Sequence, residues 1–154
     1  MAQNRPTTAS STETADFPAA AATDGDPGTR WSSAFSDPQW LQVDLGSTQT
    51  IGRVVLRWET AYGRAFQIQL SDDGATWRTV HSTTAGTGGV QDLTGLHDSG
   101  RYLRIYGTQR GTSWGYSLYE VEAYAPAGSP APTSSPPRAR PSTTPPPAPF
   151  RAPG

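Results

Sequence analysis

Six short stretches of this chain alternate apolar and polar residues at every second position: WLQVDL (40–45), IGRVVLRW (51–58), FQIQL (66–70), WRTV (77–80), RYLRIYG (101–107) and SLYEVEAY (117–124). A period of two places the apolar members of a run on one face of an extended strand. No stripe of helical period extends beyond two turns. Turn-forming clusters separate the runs: Gly46-Ser47, Ser71-Asp72-Asp73-Gly74, Ala85-Gly86-Thr87-Gly88-Gly89 and Asp98-Ser99-Gly100. Together these features predict an all-β antiparallel sandwich of the jelly-roll type, with its chemistry in the loops gathered at the two ends.

Proline sets the extent of that sandwich. Eleven of the fifteen prolines follow Ala125, which makes residues 1–125 the one stretch able to build a core. Residues 126–154 form a Pro/Ser/Thr-rich segment too poor in apolar residues to offset its ordering entropy. That segment reads as a disordered linker, a semi-rigid spacer of about 3.1 Å per residue where extended, joining this domain to a neighbour in the native chain.

The chain has no cysteine, so packing or an oxygen-ligated metal must do the work disulfides do in many small secreted domains. Through Ala125, nine arginines face thirteen carboxylates, a formal charge of −4, which gives no basic footprint for nucleic acid. No apolar run approaches the roughly 18–20 residues of a membrane span, so membrane insertion is not expected. Met1-Ala2-Gln3-Asn4 does not open a signal-peptide stretch; if the protein is exported, its leader lies outside this sequence.

Four segments are candidates for chemistry. Residues 21–31, AATDGDPGTRW, crowd two carboxylates and a threonine into one glycine-punctuated loop. Ca²⁺ takes hard oxygens of this kind, but Phe35 stands where an EF-hand needs its bidentate Glu, and an Asx-rich turn without metal fits the loop as well. Gly111-Thr112-Ser113-Trp114-Gly115 matches G-x-S-x-G, yet a strand-like run follows where a nucleophile elbow requires a helix. Glu120 and Glu122 lie on one strand face near the core, whereas a glycosidase pair must oppose across a cleft. The aromatics divide into Trp31, Trp40 and Trp77 beside strands, read as packing residues, and Phe35, Tyr62 and Trp114 in polar loops. A ring at a loop tip offers an apolar face to a pyranose while nearby Arg, Glu and Asp pair with its hydroxyls.

The ordered motifs DGDPGTRWSS, DPQWLQVDLG, SDDGATW, RYLRIYG and GYSLYEVEAY together resemble the discoidin, or coagulation-factor type C, superfamily, and most nearly its carbohydrate-binding module family 32. The resemblance implies an eight-stranded discoidin-like β-sandwich over residues 1–125. It also implies a structural Ca²⁺ held by side-chain oxygens of Asp24, Thr29 and Glu120 and backbone carbonyls of Ala21, Asp26, Thr29 and Tyr119. WSSAFSDPQW, WETAYGRAF and GTQRGTSWGYSLYE look like modules appended to bacterial chitosanases and β-glucanases. By that likeness the sugar site comprises Glu13, Arg30, Phe35, Glu59 and Trp114, with Tyr62, Arg64 and Arg110 as second choices. The function implied is a non-catalytic module that targets an attached secreted bacterial enzyme to polysaccharide, chitosan or β-glucan oligosaccharides being favoured. A monomer is expected. A cell-surface adhesion or protein-interaction module is the alternative. The His and Asn with which relatives read galactose, and the cysteine pair of membrane-binding relatives, have no counterpart.

Overall fold

The computed structural model describes residues 1–126; apart from Pro126, the expected linker lies outside them. The described residues form nine strands: β1 (Thr7–Ala9), β2 (Trp31–Ser32), β3 (Gln39–Ile51), β4 (Arg53–Trp58), β5 (Gly63–Ser71), β6 (Arg78–Thr83), β7 (Val90–Leu93), β8 (Asp98–Arg110) and β9 (Ser117–Tyr124), with a single 3₁₀ turn at Ala19–Ala22. They make two antiparallel sheets, one ordered β1-β3-β8-β5-β6 and the other β2-β9-β4-β7. The all-β sandwich is as expected. Four of the six alternating runs lie wholly within a strand, IGRVVLRW passes from the last residue of β3 through Gly52 into β4, and WRTV enters β6 at Arg78; the short β1, β2 and β7 join the sheet edges.

The alternation decides which faces meet. Leu41, Val43 and Leu45 of β3, Phe66, Ile68 and Leu70 of β5, and Leu103 and Ile105 of β8 point inward from the larger sheet. They pack against Val54, Leu56 and Trp58 of β4 and Leu118, Val121 and Ala123 of β9 in one continuous core. Burying a Leu, Ile, Val or Phe side chain contributes about 1.5–3 kcal/mol, so this double layer is the main source of stability. Trp58 ends β4, its ring 5.6 Å from Phe66 and 6.5 Å from Tyr116, with its indole N–H donating to Gln91 Oε1 at 2.6 Å.

Two of the expected turns are not turns. Gly46-Ser47 lies inside β3, where a register shift between Asp44 and Gln49 absorbs the turn-forming residues without ending the pairing with β8, and Asp98-Ser99-Gly100 is the first part of β8, paired with residues 49–51. A glycine that can adopt positive φ serves a bulge as well as a turn, and Gly46 has φ +87°.

The pairing of β9 with β4 contains an irregularity. Arg57 pairs with Glu120 but Trp58 pairs with Leu118, leaving Tyr119 as an extra residue. This bulge lets both Leu118 and Val121 face the core although they are three apart.

Candidate functional site

A cleft of about 410 Å³ opens where β4 ends and β9 begins, lined by Glu13, Arg30, Ser32, Glu59, Thr60, Ala61, Trp114, Gly115, Tyr116 and Ser117. Four residues expected to contact sugar, Glu13, Arg30, Glu59 and Trp114, meet there from four segments. Main-chain bonds fix the segments of Glu13 and Glu59: Glu13 N–H donates to Ser32 O at 2.7 Å, Glu59 N–H to Ser117 O at 2.9 Å, and Ser117 N–H to Ala61 O at 2.8 Å; Trp114 N–H donates to Thr112 Oγ1 at 3.1 Å. The Arg30 guanidinium lies 4.1 Å over the Phe17 ring, and its Nε donates to Ser32 Oγ at 3.3 Å. Behind it the Ser32 and Ser117 hydroxyls share a buried hydrogen bond of 2.7 Å.

The electrostatics of the cleft are one-sided. Glu59 Oε1 accepts from the Ala61 N–H at 2.9 Å, and neither Glu13 nor Glu59 joins an ion pair among the described residues. Two carboxylates against one guanidinium leave the cleft net negative. Trp114 is 57% exposed and Phe35 44%, and the two rings meet edge to face at 5.5 Å. That contact joins Phe35 to the same wall. Large exposed rings beside acceptor-rich carboxylates can stack on a saccharide and accept hydrogen bonds from its hydroxyls or amines.

The second-choice residues are placed differently. Tyr62 is half-buried against the core, and its ring occupies the space that Cβ atoms would need at Gly88 and Gly111, 3.0 and 2.3 Å away. It supports the loops from beneath. Arg110 is taken up by Asp37, Nε to Oδ2 at 3.1 Å, and by the Ser113 carbonyl at 3.4 Å. Arg64 is exposed at the start of β5 and does not line the cleft. Sequence reasoning did not single out Phe17 or Asp37. Both act on partners through tertiary packing, and no local motif announces that.

The candidate metal loop closes on β9. The Thr29 hydroxyl lies among three of the oxygens named in the sequence, with Oγ1 2.6 Å from Asp24 Oδ2, 3.2 Å from Asp26 O and 3.4 Å from Ala21 O. Glu120, brought beneath this loop by the β9 bulge, accepts the Gly25 N–H through Oε2 at 3.1 Å, while its Oε1 is buried without a hydrogen-bond partner. Burial first, and the charge of Asp24 after it, push this carboxyl up to about 7. A buried carboxylate oxygen with no donor costs free energy unless a proton or a cation takes it; among the described residues no three acidic, His or Cys side chains cluster here, so the acidic side chains the loop and β9 offer together are Asp24 and Glu120.

Comparison with known proteins identifies the family and the fold. A family model for the F5/8 type C domain matches residues 6–121. Chitosan-binding module 1 of a chitosanase/glucanase from Paenibacillus sp. IK-5 is 49% identical, covers 80% of this chain and 97% of its own, and superposes with a TM-score of 0.78. Module 2 of the same enzyme, solved with chitotriose, is 46% identical with coverage of 80% and 98% and a TM-score of 0.78. The family 32 carbohydrate-binding module of NanJ from C. perfringens, solved with galactose, shares the fold at 23% identity, with coverage of 77% and 91% and a TM-score of 0.68. Polysaccharide lyase 8 family protein HylA of Enterococcus faecalis is 41% identical over 68 residues, which are 44% of this chain and 5% of that protein.

Proposed function

The chain belongs to the F5/8 type C domain family, and from that premise we propose that it is a carbohydrate-binding module for chitosan-type glucosamine oligosaccharides, with β-glucan as the neutral competitor. The domain binds and does not catalyse, as the binding modules it resembles do. The observation that carries the choice of sugar is the pair Glu13 and Glu59, two carboxylates outside any ion pair, lining one cleft with Trp114. A glucosamine ammonium gains a charge-assisted hydrogen bond there that a glucose hydroxyl does not. An exposed pair of this kind is worth about 0.2–1 kcal/mol, so the carboxylates supply selectivity and the aromatic wall supplies contact area.

A shallow cleft with this chemistry binds an oligosaccharide at about 10 μM to 1 mM, roughly −7 to −4 kcal/mol. That suffices for an extracellular module tethered to a catalytic domain, because the tether raises the local substrate concentration toward the millimolar range. The partner of the domain is then the polysaccharide itself, engaged by one copy of the chain. Among the described residues no helix is long and apolar enough to cross a membrane.

The same reading assigns a structural Ca²⁺ to side-chain oxygens of Asp24, Thr29 and Glu120 and to the carbonyls of Ala21, Asp26, Thr29 and Tyr119. The orphaned Glu120 Oε1 supports this. When bound, the ion supplies positive charge where two carboxylates and several carbonyls converge. The protein residues supply the cage and tie the 24–29 loop to β9.

Calorimetric titration with chitotriose tests the function. Trp114→Ala is expected to weaken binding by roughly tenfold or more, about 1.4 kcal/mol, while cellotriose and laminaritriose bind more weakly than chitotriose to the unmodified domain. Equal affinity for neutral and cationic trisaccharides would overturn the choice of sugar, and unchanged binding by Trp114→Ala would overturn the site.

A further inference from the structure

We infer that Asp37 is a positioning residue that fixes the Phe35–Trp114 aromatic wall by tying together the two loops that carry it; this rests on reading the Glu13–Glu59 cleft as the glycan site. Phe35 sits in the loop after β2 and Trp114 in the loop between β8 and β9, separated by most of the chain. At their base the loops are joined by main chain: Ser33 N–H donates to Tyr116 O at 2.8 Å, and Tyr116 N–H donates to Ser33 Oγ at 2.8 Å. Gly115 permits this approach, since a Cβ there would lie 2.6 Å from the Ser33 carbonyl oxygen.

Nearer the rings the connection runs through one carboxylate. Asp37, two residues after Phe35, accepts the Tyr116 hydroxyl at Oδ1 (2.5 Å) and Arg110 Nε at Oδ2 (3.1 Å). Arg110 in turn donates through Nη1 to the carbonyl of Ser113, the residue before Trp114. Asp37 therefore grips the second loop on both sides of Trp114, at Tyr116 directly and at Ser113 through Arg110. The Asp37 and Arg110 side chains are only 31% and 26% exposed, so removing one leaves the other partly desolvated and without its partner.

A wall built from two loops binds well only if its rings are ordered before the sugar arrives; otherwise binding must supply the ordering entropy. Asp37 acts through other residues and has no place in the lining of the cleft. Its effect belongs in the order of Trp114.

The test pairs ¹⁵N relaxation of the tryptophan indole N–H groups with chitotriose titration, in the unmodified domain and in Asp37→Ala, Arg110→Gln and Tyr116→Phe. The expected result is an order parameter for Trp114 falling from near 0.85 toward 0.6 or below, with Trp31 and Trp58 unchanged and chitotriose bound roughly 5- to 10-fold more weakly. A generally structural role would lower the melting temperature and leave Trp114 order and affinity as they were, and that outcome overturns the proposal. If Asp37→Ala fails to fold, Tyr116→Phe decides, because it keeps the buried ring and deletes one hydroxyl. If Trp114 loosens in the variants while the unmodified domain ignores chitotriose, the positioning role stands and the choice of sugar falls.

Discussion

Glu59 does two things with one carboxylate, and they can be separated. Its Oε1 accepts the Ala61 N–H, a local turn contact that a glutamine amide oxygen reproduces, while its charge faces the cleft. Glu59→Gln is therefore expected to keep the melting temperature within a degree or two and to weaken chitotriose binding about 2- to 5-fold, the range of an exposed ion pair. Binding by Glu59→Gln should also respond less to salt than binding by the unmodified domain, since screening acts only on the charge that was removed. Titration at two ionic strengths measures both, and identical salt slopes would show that Glu59 does not meet the ammonium. At this scale the four residues that the resemblance named first with Phe35, Glu13, Arg30, Glu59 and Trp114, line one cleft. The resemblance said nothing of Asp37 or Phe17, because an ion pair spanning residues 37 and 110 or a ring beneath Arg30 is created by the fold. Tyr62 stands between polar neighbours in the sequence, and in the fold glycines at 88 and 111 leave the space in which its ring is half-buried.

The β5–β6 hairpin shows what turn chemistry can and cannot say about an element. Ser71-Asp72-Asp73-Gly74 reads as a turn and is one, because Asp73 Oδ1 accepts the N–H groups of Thr76 and Ala75 at 2.9 Å each and the Ser71 hydroxyl at 3.0 Å. Gly46-Ser47 carries the same signals and is a bulge inside β3; residue identity sets the local φ, but partner strands decide whether the chain reverses. Of the three missed strands, β1 and β2 have three and two residues, too few for alternation to register, and the four of β7, VQDL, do not alternate. The Asp73 turn has a pH signature. The Thr76 N–H, then those of Ala75 and the Ser71 hydroxyl, hold its carboxyl down to about 2, against 3.8 without them. A folded value below the unfolded one gives stability that is fully present above about pH 4 and is lost as pH falls toward 2. Asp73→Ala should thus melt lower than the unmodified domain at pH 6, and the gap between them should narrow between pH 4 and pH 2. A gap of constant size across that interval, followed by circular dichroism, would show that the charge of Asp73 does not matter to the hairpin.

Across the whole molecule, loop 24–29 and strand β9 are about ninety residues apart in sequence and meet at Glu120, so whatever holds them there closes a long loop in a chain with no disulfide. Packing alone leaves Glu120 Oε1 buried without a partner, and the proposed cation would turn that liability into a clasp. An ion that binds the native state at a hundredfold excess over its Kd stabilises it by about 2.7 kcal/mol. For a domain of this size that corresponds to on the order of 10 °C in Tm. Excess EGTA is therefore expected to lower the melting temperature of the unmodified domain by about that amount. Glu120→Gln should behave in the reverse way: without calcium it should melt at or above the unmodified domain, because the buried charge is gone, and adding calcium should move it little. Scanning calorimetry of both proteins with and without EGTA, alongside elemental analysis, separates the alternatives. If chelation leaves the melt unchanged and no calcium copurifies, the loop is held by its own hydrogen bonds, and Glu120 is accommodated by taking up a proton rather than a metal.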